Sequence, residues 1–162
     1  MKPKLTVIPY LLAMLMPVLL GLPMFAYSDE IEDILTSKER PAGVIFEIVS
    51  DSADALRHAI PQVKKHIKQI RTRFPGLDIA VVSHGQEQFA LTKDNNKKYN
   101  KVHSEIKSLV KDAGVPVHVC ETYASWYNIE PGAFPDYVDV SPTGPAQIND
   151  YLALDYILVT ID

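Results

Sequence analysis

Cys120 and His84 are the two side chains whose positions along the chain best suit catalytic chemistry. Cys120 directly follows an apolar segment that ends at Val119, and His84 comes two residues after a similar segment that ends at Val82. Both segments have the composition of buried strands. Functional groups of an open parallel sheet gather at the carboxyl ends of its strands, so we expect Cys120 and His84 at the same edge of one sheet. The strand order decides whether the two side chains meet.

Cys120 is the only cysteine in the chain, so it has no partner for an internal disulfide. Residues 121–127 are predicted to form a short helix, which places Cys120 at a helix N-terminus, where the anionic thiolate is stabilised. The thiolate is the nucleophilic form of cysteine, so this position suits attack on sulfur or on a disulfide. Two other interpretations stay open: a buried apolar side chain and an intermolecular disulfide.

Metal binding is the competing chemistry at the same edge. His118 and Cys120 are two residues apart, so on a strand they share a face, and with His84 they would make a three-ligand site for zinc or copper. A histidine in a strand is more often packed or solvated. The chain has no Gly-x-Ser-x-Gly elbow, no Gly-x-Gly-x-x-Gly and no P-loop. We therefore expect no nucleotide or other organic cofactor.

The elements that position these residues alternate between strand and helix patterns. The predicted strands are residues 44–49, 77–82, 115–119, 137–140 and 156–161. The intervening helices are predicted near 52–73, 99–113 and 145–154, with a kink or a break into two helices at Pro61. Glu47 interrupts the first strand, where a carboxylate is more often paired than catalytic. The alternation predicts a three-layer α/β/α sandwich with a mostly parallel five-stranded sheet, flavodoxin-like in its general plan.

The first residues have the layout of a secretory signal peptide. Lys2 and Lys4 precede an uncharged stretch over 5–27, which ends in Ala26-Tyr27-Ser28. We predict a signal peptide over 1–28, an N-terminal arm with one helical turn over 29–40, and one domain over 41–162. Prolines interrupt the apolar stretch, which favours cleavage over the alternative of a retained membrane anchor. The mature protein is then periplasmic or secreted and touches the membrane only through its signal segment.

The amino-acid composition and net charge limit the kinds of molecule that the protein can bind. With 47% hydrophobic and 22% charged residues, the chain is neither disordered nor extreme. Loss of Lys2 and Lys4 with the signal peptide changes the net charge from −4 to −6. An acidic domain has no electrostatic basis for binding nucleic acid, so we expect none.

Several segments in order resemble the DsrE/DsrF-like sulfur-relay family over roughly residues 41–162. They are Val81-Val82-Ser83-His84-Gly85, Gly114-Val115-Pro116-Val117-His118-Val119-Cys120, Val138-Asp139-Val140-Ser141-Pro142-Thr143-Gly144 and Tyr156-Ile157-Leu158-Val159. The resemblance implies a three-layer domain that assembles into trimers or hexamers. It also implies that Cys120, which matches the family cysteine, carries sulfur as a persulfide. The position of His84 at the same sheet edge makes it the candidate neighbour of that sulfur. The partners it implies are sulfur donor and acceptor proteins or small thiols.

Two features depart from the relay members of that family. Relay members are cytosolic, whereas this chain has an export signal. The stretch Tyr123-Ala124-Ser125-Trp126-Tyr127 is aromatic where relay proteins often have small residues. We expect the aromatic rings that follow Cys120 to pack in the core or at a subunit interface, or to form the wall of a pocket around the thiol. They are Tyr123, Trp126, Tyr127, Phe134 and Tyr137. The alternative function is therefore a non-catalytic oligomeric binding protein of the cell envelope, with Cys120 buried.

Overall fold

Parallel strands form the central sheet of the protein, whose computed structural model describes residues 30–161. The predicted signal peptide and its cleavage site therefore lie outside the described residues. The strands are β1 (Gly43–Ile48), β2 (Asp78–Ser83), β3 (Val117–Cys120), β4 (Asp139–Ser141) and β5 (Tyr156–Ile161). They form one five-stranded sheet in the order β4-β3-β2-β1-β5, and every neighbouring pair is parallel. The predicted sheet is confirmed, and it is parallel throughout.

Helices cover both faces of the sheet. They are α1 (Glu30–Thr36), α2 (Leu56–Arg73), α3 (Asn100–Lys111), α4 (Glu121–Ser125) and α5 (Gly144–Leu152). Buried residues of α1, α2 and α3 join the main core with one face of the sheet. On the other face, Ile148 of α5 packs with Ile45, Ala80 and Val82. This arrangement confirms the α/β/α layers.

Within residues 30–161, α5 is the only helix on its face of the sheet, and the handedness of the connections explains why. The chain steps from β1 to β2 and β3 in one direction, with α2 and α3 as the crossovers. From β4 it returns across the sheet to β5 in the opposite direction. A right-handed crossover in the reverse direction must use the opposite face. One helix of nine residues therefore covers the second face of a five-stranded sheet.

Local signals in the sequence set the ends of several helices. The Ser52 hydroxyl accepts from the Asp54 amide at the turn that leads into α2. Gly114, with φ of +61°, follows the end of α3 in the left-handed conformation that glycine adopts without strain. Pro145 lies in the first turn of α5, where a missing backbone N–H costs nothing.

Two expectations about the helices are corrected in part. Of the two alternatives at Pro61, the break into two helices is wrong, because α2 is one continuous helix there. Pro61 and Arg57 lie on the exposed side of α2, where water can satisfy the carbonyl that loses its helical partner. The arm forms α1, which is longer than one turn, because Ile31 and Ile34 are buried in the main core.

Within the described residues, we find no helix with the length and apolar character needed to cross a membrane.

Candidate functional site

Cys120 lies where β3 ends and α4 begins, as the sequence predicts. It is the N-cap residue of α4, and its Sγ accepts a hydrogen bond from the Tyr123 amide at 3.3 Å. The residue is only 4% exposed. The sulfur thus occupies the position in which a cap side chain normally presents oxygen, and a backbone N–H points at it.

A buried glutamine holds the backbone of Cys120 in place. Oε1 of Gln88 accepts from the Cys120 amide at 2.7 Å, and its Nε2 donates to the Cys120 carbonyl at 3.3 Å. The β2–β3 ladder ends with the pair Ser83 and Val119, so Cys120 has no residue of β2 beside it. The side-chain amide of Gln88 replaces the missing peptide group with the same donor and acceptor. The strand end that carries the thiol is therefore fixed on this side.

His84 follows β2, the strand next to β3, and is held by a carboxylate of β1. Its Nε2 lies 2.8 Å from Oε1 of Glu47, and the two side chains are 14% and 21% exposed. The Thr160 hydroxyl donates to Oε2 of Glu47 at 3.3 Å. A Cβ on Gly144 would overlap the His84 side chain, so only glycine permits this close packing. Because a carboxylate only accepts, Nε2 carries the proton that His84 donates to Glu47.

The carboxylate of Glu87 joins the segment after β1 to the residues on either side of His84. Glu87 is fully buried, and its Oε1 accepts from the Ser83 hydroxyl at 2.7 Å and the Gly85 amide at 2.8 Å. Its Oε2 accepts from the Ser50 amide at 2.7 Å. These bonds join the segments that follow β1 and β2. His84 therefore lies between Ser83 and Gly85, which donate to the same Glu87 oxygen through a hydroxyl and a backbone amide.

Cys120 and His84 line one surface pocket of about 210 Å³. The other lining residues are Thr122, Tyr123, Trp126, Thr143 and Pro145. Tyr123 and Trp126 pack with ring centroids 5.5 Å apart, and Trp126 is 70% exposed. The hydrogen bond between Tyr123 and Tyr127 raises the pKa of Tyr123 above the usual 10, so the Tyr123 phenol stays neutral. The aromatic stretch after Cys120 thus forms a wall of this pocket, one of the roles expected of it.

The remaining aromatic residues after Cys120 divide between surface and core. Tyr127 is 47% exposed, whereas Phe134 is buried in the main core and Tyr137 packs against that core. The expectation of core packing therefore holds for the later part of this region.

His118 lies apart from this chemistry, in a network of its own. The Ser141 hydroxyl donates to Gln147, so Nδ1 of His118 donates to Ser141, 3.3 Å away. Its Nε2 accepts from the Tyr151 hydroxyl at 3.0 Å. Burial lowers the pKa of His118, and the charge of Asp139 opposes this shift without reversing it. The lowered pKa keeps the ring neutral. Over residues 30–161 we find no group of three or more His, Cys, Asp or Glu side chains that could hold a metal.

Three residues that shape the site escaped the sequence analysis as site residues. Glu47 was visible as a carboxylate inside an apolar strand, and pairing was expected, but its partner His84 was not. Gln88 and Glu87 follow the end of β2 and give no signal, since polar residues after a strand usually lie in a solvated turn. Their full burial is what distinguishes them.

Comparison with known proteins gives a fold but no family assignment. No family model matches the chain, and no curated protein matches it. The solved structure of MTH1491, a protein of unknown function from Methanobacterium thermoautotrophicum, superposes with a TM-score of 0.58 at 17% identity. The match covers 73% of this chain and 97% of that one.

Two further solved structures superpose less well. BT1422, of unknown function, from Bacteroides thetaiotaomicron gives a TM-score of 0.47 at 12% identity and covers 74% of this chain and 95% of that one. The ychN protein from E. coli gives a TM-score of 0.46 at 16% identity, and the match covers 74% of this chain and 99% of that one.

The fold thus defines an α/β protein with an all-parallel five-stranded sheet. The likeness to MTH1491 supports this fold. It extends to the arrangement of the backbone and to nothing finer.

Proposed function

We propose that this chain is an exported DsrE/DsrF-like protein that carries sulfane sulfur as a persulfide on Cys120. One observation carries the proposal: the only cysteine of the chain caps a helix at the carboxyl edge of a parallel sheet and lines a pocket with His84. Sites in this architecture collect at that edge. The resemblance in sequence and the DsrE-like fold agree with this function.

The surroundings of Sγ suit an anionic sulfur. The Tyr123 N–H donates to it, and a persulfide placed there would keep an anionic sulfur in the same pocket. Loading from an inorganic polysulfide needs no oxidant. The Cys120 thiolate attacks one sulfur of the polysulfide, a sulfur–sulfur bond of the polysulfide breaks, and the shortened polysulfide leaves with the electron pair. The pocket of about 210 Å³ has room for the added atom.

Intact mass of the folded protein after incubation with polysulfide tests this function. We expect a gain of one sulfur atom that cyanide or dithiothreitol removes. Cys120→Ser is the matched variant, and it should gain nothing. A wild-type protein that stays unmodified when folded, yet is modified after unfolding in urea, would show that the native fold conceals the thiol.

The low exposure of Cys120, 4%, favours a second candidate function. In that case the protein is a non-catalytic oligomeric binding protein of the cell envelope, and Cys120 is a packed side chain. The metal-binding alternative has less support, since both nitrogens of His118 already have hydrogen-bond partners. The failed loading described above would favour the binding protein.

Export is part of the proposal and has its own test. The basic residues, apolar stretch and small residues of 1–28 support cleavage before Asp29. Protein isolated from the cell envelope should have the mass of a chain that begins near Asp29. A full-length species that requires detergent would instead identify the segment as an anchor.

Self-association is also proposed, as a trimer or hexamer. The resemblance implies it, and apolar side chains remain exposed around α5 and β5: Leu152 at 39%, Leu154 at 62% and Ile157 at 38%. Light scattering at micromolar concentration should give a mass that is a multiple of three chains. A monomer under those conditions would contradict the expectation.

A further inference from the structure

His84 lines the same pocket as Cys120, and only one of its two ring nitrogens is hydrogen-bonded within residues 30–161. Glu47 takes Nε2, and Gly144 lies against the Cβ, Cγ and Cδ2 side of the residue. Nδ1 has no hydrogen-bond partner among residues 30–161. Yet no side-chain nitrogen or oxygen sealed from solvent in this part of the chain lacks a hydrogen bond. Nδ1 is therefore reachable by solvent, and in the neutral ring with the proton on Nε2 it carries a lone pair.

The size and the lining of the pocket that His84 shares with Cys120 limit which ligands it can bind. Its lining contains no Lys, Arg, Asp or Glu among the described residues. A ligand that carries a carboxylate finds no cationic side chain there. Its volume of about 210 Å³ lies below the roughly 300–1,000 Å³ of pockets for drug-sized ligands. Such a pocket suits a small uncharged molecule.

On the basis of the proposed function, we propose that Nδ1 of His84 accepts the proton of a small uncharged thiol that takes sulfur from Cys120. Glu47 is then the positioning residue, because its bond to Nε2 holds the tautomer that leaves Nδ1 unprotonated. An uncharged thiol needs a base, since only its thiolate is nucleophilic. The same carboxylate stabilises the imidazolium that the proton transfer creates.

The transfer balances without an oxidant or reductant. The acceptor thiol gives its proton to Nδ1, and its sulfur attacks the outer sulfur of the Cys120 persulfide. The sulfur–sulfur bond of that persulfide breaks, and its electron pair stays on Sγ. The imidazolium then returns the proton to Sγ. The products are the persulfide of the acceptor and the free thiol of Cys120.

Glu47→Gln tests the positioning role in a single-turnover experiment. Both wild type and variant are loaded with polysulfide, freed from excess reagent, and mixed with 2-mercaptoethanol while intact mass follows the loss of sulfur. We expect equal loading but transfer at least about tenfold slower in the variant, since positioned acid–base groups contribute roughly 10²–10⁴-fold. Asp139→Asn is the matched control: an exposed carboxylate on β4, whose loss should leave the rate unchanged.

Two further readouts separate a positioning role from a structural one. Nitrogen-15 NMR of wild type should show His84 protonated at Nε2 alone, and Glu47→Gln should mix the tautomers because an amide can donate as well as accept. Mercaptoacetate, an anionic thiol of similar size, should discharge the folded protein more slowly than 2-mercaptoethanol. The rates of the two thiols with the persulfide of the urea-unfolded protein give the reference ratio for this comparison.

The outcomes distinguish this inference from the function on which it rests. If wild type does not load sulfur, the proposed function fails, whatever the state of His84. If loading succeeds and Glu47→Gln transfers at the wild-type rate, the inference is wrong. A wild-type His84 protonated at Nδ1 also overturns it, even if the variant does not fold. An unchanged ratio between the two thiols contradicts the selection of uncharged acceptors.

Discussion

Replacement of Gln88 by leucine should loosen the strand end that presents Cys120. The leucine side chain is similar in size but can neither accept from the Cys120 amide nor donate to its carbonyl. Both backbone groups lie in a buried setting, with Gln88 fully buried and Cys120 4% exposed. Each unsatisfied buried group costs about 1–3 kcal/mol. Two such groups, partly offset by the apolar gain of leucine, give a net loss of about 2–4 kcal/mol.

Urea unfolding measures this loss as a fall in the midpoint at constant slope. The matched control is Gln62→Leu, which makes the same chemical change on an exposed position of α2 and should alter stability by less than about 0.5 kcal/mol. We also expect Cys120 in Gln88→Leu to react faster with iodoacetamide in the folded state, because its backbone is no longer held. A Gln88→Leu protein as stable as the control would refute the assigned role of this amide.

The remaining predictions concern the pocket and the histidine network. Gly144→Ala should cost about 1–3 kcal/mol and shift the His84 ring signals, because the added Cβ overlaps that side chain; unchanged melting and spectra would contradict this packing. Burial lowers the pKa of His118 in the folded protein below the value of about 6.5 that a histidine has in the unfolded chain. The unfolded state therefore binds more protons around that pKa, and the free energy of unfolding should fall as the pH drops from about 7.5 to about 5.5. His118→Gln should reduce that slope in urea titrations, and an equal slope would remove this histidine as a cause. Trp126→Ala should leave stability within about 0.5 kcal/mol, since Trp126 is 70% exposed, yet speed alkylation of Cys120 by opening the pocket wall; an unchanged rate would mean that Trp126 does not limit access.

The sequence predicts the fold well because its periodicities are strong and its turns are marked. All five predicted strands are present, with ends that differ by a few residues, and Gly114 and Pro145 occur at helix ends as expected. Strand order was not accessible, because it depends on which apolar faces pack together across the whole chain. That order is what places β2 beside β3, and so His84 and Cys120 at one pocket.

The candidate site was predictable only in part, for a related reason. Cys120 and His84 could be located because each follows an apolar strand. Glu47 contacts His84 across 37 positions of sequence, Gln88 contacts Cys120 across 32, and Glu87 contacts Ser50 across 37. No local pattern encodes contacts at such separations. Pro61 shows the opposite case: a strong local signal that does not divide the helix, because α2 continues through it.

Sulfur carriage on Cys120 requires that the folded protein both accept sulfur and release it. The most direct test is one cycle followed by intact mass: loading with polysulfide, removal of excess reagent, and discharge to an added thiol. The account predicts that wild type gains one sulfur atom while folded and returns to its original mass with an equal yield of acceptor persulfide. A folded protein that takes up no sulfur, or that takes up sulfur in Cys120→Ser as well, would contradict it.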